Sequence, residues 1–361
     1  MNQPARRRRR TKDATIADVA ELAGVSPMTV SRVVNDESSV RPETRDKVIA
    51  AIAALDYLPH PSTRRAVDME SIRIGMVFND PSVGYLNDFM MGVLSKASLR
   101  HVQLDVQRCE TRDDEEALVQ AMIVGGIHGL ILPPPFCDSE PLLKQLAAHS
   151  VLAVAVSSGR PNESANSIGI DDQRAAYEMT RHLLSLGHQR LGFILGDRQQ
   201  HSSERRLAGF RSAMRDAGLD PAQMSVLAQG DFSYRSGLDA AESLLAAPER
   251  PTAIFASNDD MAAATVAIAH RMGLDVPSDL AVVGFDDAPL ATTIWPELTT
   301  VRQPVSAMAG AAVELLVRHL RARRAGKPLP CEHVLMAFEL VRRQSDAAPR
   351  MRPPLRFGTV A

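Results

Sequence analysis

Residues 14–35, ATIADVAELAGVSPMTVSRVVN, hold two short helical patterns that meet at a tight turn, Gly24-Val25-Ser26. Thr15 is placed to cap the first helix, with Asp18 three residues on in the capping-box position. Ile16, Val19, Ala20 and Ala23 recur at helical spacing and make one apolar stripe. Ser26 suits the cap of the second helix and Pro27 its first turn, where a missing N–H costs nothing. Val30, Val33 and Val34 are expected to face inward, leaving Pro27, Met28, Thr29, Ser31 and Arg32 outward or partly so. This is the pattern of a helix-turn-helix, which lays its second helix in the DNA major groove. Apolar spacing alone would also allow an ordinary helical hairpin.

The surrounding string separates the two. VAELAGVS, TVSRVVN and then VRPETRDKVIAAIAALDYLP closely resemble the DNA-binding headpiece of the LacI/GalR family of bacterial transcription regulators, and the resemblance continues to about residue 345. A third headpiece helix is expected from Arg41-Pro42-Glu43 through Val48, Ile49, Ile52 and Leu55.

At 361 residues the chain suits a small module plus a larger two-lobed one, and 45% apolar residues support a sizeable core. The formal net charge is only −2, yet Arg6 to Arg10 and Lys12 concentrate basic charge just before the headpiece. That run reads either as an arm adding salt-sensitive phosphate contacts or as a solvated tail. Cys109, Cys137 and Cys331 form no C-x-x-C pair, so free thiols are expected and neither zinc nor a disulfide framework. No metal and no cofactor are expected. The N-terminus lacks the apolar core of a secretion signal, and no stretch reaches membrane-helix length, so a cytoplasmic protein without a membrane partner is expected.

Five segments follow: a disordered basic arm (1–13), the headpiece (14–58), a hinge or linker punctuated by Pro59 and Pro61 (59–71), a core (72–345) and a flexible Pro-rich tail (346–361). The core alternates apolar runs such as 72–78, 102–107, 129–134, 151–157, 190–196, 253–258 and 280–285 with helical segments at 86–99, 113–124, 172–186, 203–217, 260–272 and 305–324. Continuous apolar strands separated by helices mean parallel sheets covered on both faces, here in two α/β lobes, with one last strand near 334–341. The resemblance implies the periplasmic-binding-protein type I fold, the chain crossing between lobes three times: 72–168 with 302–328, and 169–299 with 331–345. The tail has no heptad, so a homodimer is expected rather than a helical tetramer bundle.

A headpiece this small reads a long site as one of two copies on a palindromic operator of double-stranded DNA. The resemblance puts Pro27, Met28 and Arg32 against base edges. Arg32 can pair with guanine O6 and N7, or serve as a phosphate contact; Pro27 and Met28 offer only shape and apolar contact. Thr15, Ser26, Thr29, Ser31 and Asn35 complete the DNA-facing set, Ser26 as helix cap and phosphate contact together. The linker departs from the family. Where relatives carry a leucine that wedges into the minor groove, Ala66 stands here, after Arg64 and Arg65 that would lie near phosphates. Either a hinge helix capped by Ser62 forms and bends DNA less, or Val67 replaces the wedge.

Ligands of open α/β sheets bind at the carboxyl ends of strands, which draws attention to Asn79, Asn258 and Asp286. The resemblance implies that Arg206, Asn258 and Asp286 hold the effector, with Phe232 and Tyr85 at lining positions and Ser202 adding a hydroxyl. A guanidinium fork and a carboxylate suit the vicinal hydroxyls of a sugar or glycoside, though Arg206 and Asp286 could pair with one another and Phe232 could be a core ring. Asp197, Asp259 and Asp287 read as helix caps, His188 as structural and Trp295 as a lobe-packing residue. No strand is followed by G-x-G-x-x-G and no catalytic set is legible, so neither a dehydrogenase nor another enzyme is expected. A transport-binding protein would share the core but lack the helix-turn-helix. A repressor released by a sugar-like inducer is the expectation, with an activator or corepressor-dependent repressor sensing a purine or other metabolite as the alternative.

Overall fold

A computed structural model describes residues 15–34, 40–55, 72–79, 82–160 and 164–347. Asn35, Ser62, Arg64, Arg65, Ala66 and Val67, the basic run 6–12 and all but the first two residues of 346–361 lie outside these. The chain divides into two compact units, Met1–Glu70 and Ser71–Ala361.

In the first unit, α1 (Ile16–Ala23), α2 (Pro27–Val34) and α3 (Pro42–Ala54) enclose Val19, Ala20, Val30, Val33, Val48 and Ala51. Thr15 and Asp18 form the reciprocal capping box: the Asp18 amide donates to Thr15 Oγ1, and the Thr15 amide to Asp18 Oδ2 at 2.7 Å. Gly24 ends α1 at φ +66°, a left-handed turn open to glycine without a Cβ penalty. Ile49 is half-exposed, because α3 is inward at Val48 and Ala51 and Ile49 falls about 100° round from Val48.

The second unit runs β1 (Arg73–Phe78), α4 (Val83–Arg100), β2 (Gln103–Arg108), α5 (Glu115–Val124), β3 (Gly129–Leu132), α6 (Glu140–Ala148), β4 (Leu152–Val156) and β5 (Asn166–Gly169). It continues with α7 (Asp172–Ser185), β6 (Leu191–Leu195), α8 (His201–Asp216), α9 (Pro221–Met224), β7 (Ser225–Gln229), α10 (Tyr234–Leu245), β8 (Ala253–Ala256), α11 (Asp259–Arg271) and β9 (Ala281–Val283). Then come α12 (Leu290–Thr293), β10 (Thr300–Arg302), α13 (Val305–Arg324), β11 (His333–Leu335) and β12 (Glu339–Val341).

One lobe is a parallel sheet of order β11-β5-β4-β3-β1-β2, the other a parallel sheet of order β7-β6-β8-β9. Central β3 and β8 are buried throughout, as sheets covered on both faces require, whereas edge strand β2 is largely open. Helices pack at glycines where a Cβ would strike backbone: Gly92 of α4 against Ser306 of α13, and Gly209 of α8 against Gln173 of α7. In the smaller lobe Phe193 lies between Phe210, tilted against it, and Phe255, edge-to-face, with ring centroids 4.8 and 5.3 Å away.

The chain passes between lobes at 169–172, 302–305 and 335–339. The last crossing corrects the expected single strand near 334–341. Its first half, β11, joins β5 in the larger lobe, and its second half, β12, pairs antiparallel with β10. HVLMAFELV carries no turn signal; the break falls where one open sheet edge ends and another begins. Edge strand β7 and short β5 are not among the expected strands, because four or five residues carry weak periodicity. The amphipathic helices α6 and α10 are further additions to the expected elements.

Candidate DNA-reading and effector sites

On the headpiece the start of α2 is presented to solvent. Ser26, Pro27, Met28 and Arg32 are exposed, and Thr29 and Ser31 partly so. Ser26 Oγ accepts from the Thr29 amide at 3.2 Å and lies 2.9 Å from Thr29 Oγ1, so Ser26 caps α2 while remaining at its surface. The Thr15 hydroxyl is committed to Asp18 at 2.6 Å. The surface thus offers one guanidinium amid small hydroxyls and an apolar Met28, 65% exposed, which is the mixture that direct readout of base edges uses.

In the core, a cleft between the lobes encloses about 420 Å³ of space unfilled by protein, part of it open to solvent. Tyr85, Ser202, Arg206, Phe232, Asn258 and Asp286 all line it. Asn79 does not; its amide donates to the Glu110 carbonyl at 3.0 Å and serves the loop after β2. Ser82, Pro134, Ser157, Gln200 and Gln303 line the cleft as well and escaped the sequence reading. Each sits just after a strand or just before a helix, so strand ends were the available signal, but nothing local marks which of their polar residues turn inward.

Arg206, on the second turn of α8, is held from three sides. Its Nε donates to Asp172 Oδ1 at 2.8 Å, its Nη1 donates to the Ser257 carbonyl, and its guanidinium carbon lies 3.7 Å from the Phe285 ring centre. Asp286 Oδ1 is 3.9 Å from Nη1 and accepts from Gln303 Nε2 at 2.7 Å. Asp286 takes φ +109°, which turns it off the end of β9 toward the cleft. Asn258 caps α11 through its Oδ1 to the Met261 amide and donates to the Phe232 carbonyl at 2.7 Å. That bond fixes a loop in which Phe232 has φ +72° and its ring covers Gly196, where any Cβ would collide with it. Tyr85 Oη and Ser157 Oγ are 2.9 Å apart on the opposite wall.

The cleft is rich in buried carboxyls. Burial pushes the Asp286 carboxyl up to about 7 against the opposing pull of Arg206 and Gln303. Burial likewise raises Asp172, despite Arg206, and Asp260; it raises Asp259 well above the ordinary range, with Asp286 adding to the effect. Two bonds tie the lobes beside the cleft. Ser82 Oγ donates to Asp260 at 2.5 Å, and buried Asp138 accepts from the His201 amide at 2.9 Å and from Ser158 Oγ at 2.6 Å. A carboxylate of one lobe thereby caps the helix of the other lobe that carries Ser202 and Arg206.

Several expectations are corrected here. Asp259 is no cap; its carboxylate accepts from the Ala288 amide and from Thr300 Oγ1, tying the loop after β9 and the start of β10 to α11. Asp287 forms ion pairs with Arg302 and Arg343. Asp197 closes a turn by accepting from the Gln199 amide at 2.8 Å. Trp295, expected between lobes, is 74% exposed. His188 bridges Thr252 Oγ1 and the Ala347 carbonyl, fastening the end of the described chain. Cys109 and Cys137 are buried free thiols and Cys331 an exposed one. Among the described residues no group of three or more His, Cys, Asp or Glu is placed to hold a metal ion, and no helix is long and apolar enough to cross a membrane.

Comparison with known proteins agrees with this two-part organisation. Residues 15–60 match the family "Bacterial regulatory proteins, lacI family", and residues 180–345 match "Periplasmic binding protein-like domain". The HTH-type transcriptional regulator DegA of Bacillus subtilis is 33% identical over 338 residues, 92% of this chain and 98% of the relative. Catabolite control protein A of Priestia megaterium is 32% identical over 312 residues, 85% of this chain and 93% of the relative. Among solved structures, the lac repressor dimer bound to operator and the anti-inducer ONPF superposes with TM-score 0.77 at 29% identity, covering 93% of this chain and 100% of that one. The complex of the transcriptional regulator CelR with cellobiose gives 0.69 at 29%, covering 92% and 99%. With the helix-turn-helix, the two-lobed core and relatives of this similarity over nearly its whole length, the chain belongs to the lacI family of bacterial regulatory proteins, DNA-binding transcription regulators rather than enzymes.

Proposed function

We propose that the protein is a homodimeric repressor that binds a palindromic operator and is released by an uncharged, hydroxyl-rich effector, a sugar or small glycoside, held between the core lobes. The observation that carries this reading is the cleft itself. Arg206, Asp286, Gln303, Asn258 and Gln200 converge there with three serines, and Phe232 and Tyr85 supply flat apolar faces. Donors and acceptors at fixed angles beside an aromatic face suit a pyranose or furanose ring. Arg206, the one cation among the described lining residues, is already met by Asp172, with Asp286 nearby, so little positive potential remains for an anionic ligand. Some relatives point the same way: a ribose operon repressor of Escherichia coli is 31% identical over 314 residues, and the CelR complex holds cellobiose.

The dimer is supported by an apolar stripe. Val83, Met91 and Leu94 are 78%, 57% and 47% exposed and fall within an arc of roughly 80° on α4 at 100° per residue. Gly84, beside Val83, packs on Ala288 and Pro289, and exposed Trp295 lies further along that segment. A second copy would cover this face and supply the second headpiece.

The test is retention of fragmented genomic DNA on the full-length protein, followed by elution with a panel of monosaccharides and disaccharides. A palindromic motif upstream of transporter or glycosidase genes, released by one sugar, is the expected result. Asp286→Ala should bind the same motif and ignore the sugar. Retention of a motif that tightens with a purine would replace the inducible sugar reading.

A further inference from the structure

The turn that carries Asp286 continues into Asp287, and both residues hold positive φ, +109° and +58°. Residues other than glycine enter that region rarely and stay where surrounding bonds fix them. The Asp286 amide donates to the Val301 carbonyl at 2.8 Å, and its own carbonyl accepts from the Gln303 amide at 3.3 Å. The turn is thus laid along β10 and its continuation. Side chains alternate on an extended segment, which sends Gln303 into the cleft and leaves Arg302 exposed on the other face. The two acids divide in the same way: Asp286 meets Gln303, and Asp287 meets Arg302.

Each Asp287 oxygen holds an arginine. Oδ2 accepts from Arg302 Nε at 2.6 Å, and Oδ1 from Arg343 Nη2 at 2.5 Å. Arg302 ends β10 at the head of the crossing 302–305, and its Nη1 donates to Glu339 at 2.8 Å, where the crossing 335–339 enters β12. Arg343 lies just beyond β12; its Nη1 donates to the Leu298 carbonyl at 2.7 Å and its amide to Thr299 Oγ1 at 2.8 Å, on the approach to β10. The residue beside the cleft carboxyl is therefore the hub that joins two of the three lobe crossings. The Asp287 and Arg343 side chains are only 9% and 12% exposed, so their attraction is screened far less than that of a surface ion pair. Strands β10 and β12 already pair through backbone, Thr300 with Val341 and Arg302 with Glu339. What Asp287 adds is the connection from that ribbon to the turn in the cleft.

Resting on the reading of the cleft as an effector site, we propose that Asp287 is a positioning residue for the effector response: through Arg302 and Arg343 it joins Asp286 to the segments between the lobes, and so sets how strongly effector and DNA binding oppose one another. Such opposition is a coupling free energy between two sites, and a residue that belongs to neither can set it. Asp287 is not among the residues lining the cleft, and it lies outside the headpiece. Removing its charge cuts the joint while leaving both binding surfaces their own side chains.

The experiment uses the full-length protein and a duplex carrying the palindrome that the wild type retains. Affinity for the duplex is measured alone and with each monosaccharide and disaccharide of the panel at saturation, and calorimetry gives the affinity for the sugar that acts. In the wild type that sugar is expected to weaken duplex binding by about tenfold or more. Asp287→Asn should bind the duplex alone, and the sugar alone, within about threefold of the wild type, while the sugar-induced loss shrinks to about threefold or less. A general destabilisation lowers the active fraction equally with and without sugar and leaves that ratio unmoved. Arg302→Gln, at an exposed position, should also shrink the ratio, and it decides the matter if Asp287→Asn does not fold. A wild-type ratio in the folded variants would overturn the proposal and leave the effector reading intact. Loss of sugar binding in Asp287→Asn would overturn it too, since the residue would then act on affinity. A wild type indifferent to every sugar of the panel would overturn the effector reading and the proposal with it.

Discussion

At the level of single residues, Asp286 is where local chemistry and function meet. Its carboxyl is lifted to about 7 chiefly by burial, so the folded protein holds that proton more tightly than the unfolded chain, whose aspartate titrates near 3.8. A raised carboxylate contributes stability as pH falls through the folded value, and it costs stability once both states are ionised above it. Asp286→Asn, which removes the titration, should therefore melt higher than the wild type at pH 8 and lose that advantage toward pH 5. Melting curves across this range check it, and a constant offset between the two proteins would mean that Asp286 stays ionised throughout. Arg32 is the matching residue on the headpiece, exposed on the outer face of α2. Arg32→Ala should cost about 1–3 kcal/mol at one base position in each half-site and leave other positions unchanged. Selection from randomised operators reads this directly, and a uniform loss over all sequences would assign Arg32 to phosphate.

Among the elements, α8 shows how a helix can be set by a neighbour from another lobe. Its first turn lacks a cap from its own residues, because Gln200 makes no side-chain cap bond; Asp138 supplies the acceptor for the His201 amide instead. The approach is tight enough that Gly159 has no room for a Cβ against His201. Asp138→Ala should cost about 0.5–2 kcal/mol, as loss of an N-cap does. Hydrogen exchange at the first amides of α8 should quicken while α7 and α10 stay protected. Uniform quickening over the smaller lobe would instead indicate general destabilisation. Such local loosening would weaken any ligand held by Ser202 and Arg206, since both ride on those first two turns.

For the whole molecule, the effector reading requires that one event in the cleft alter the presentation of two headpieces, and a second copy on α4 is the structural means offered here. Met91→Glu combined with Trp295→Glu places two charges on exposed apolar positions and should leave the fold intact. Sedimentation should then report half the wild-type mass, and affinity for a palindrome should fall well over tenfold, toward that of one half-site. A variant that stays dimeric would move the interface elsewhere.

How much of this was legible beforehand depends on the range of the interactions concerned. The headpiece follows from local rules: Thr15 and Asp18 cap, Gly24 turns, Ser26 and Pro27 start the next helix, and each acts within four residues along the chain. The alternation of apolar runs with helices likewise announced two parallel α/β lobes, because a strand buried on both faces must be apolar throughout. Tertiary structure decided what depends on meetings between distant segments. Gln303 reaches Asp286 across 17 residues, Asp138 reaches His201 across 63, and Asp259 binds Thr300 where a cap was expected. Trp295 proved to lie outside because its burial was never a matter of its own neighbours in sequence. A side chain's type sets what bonds it is able to make; only the folded arrangement sets which partner is within 3 Å to make them.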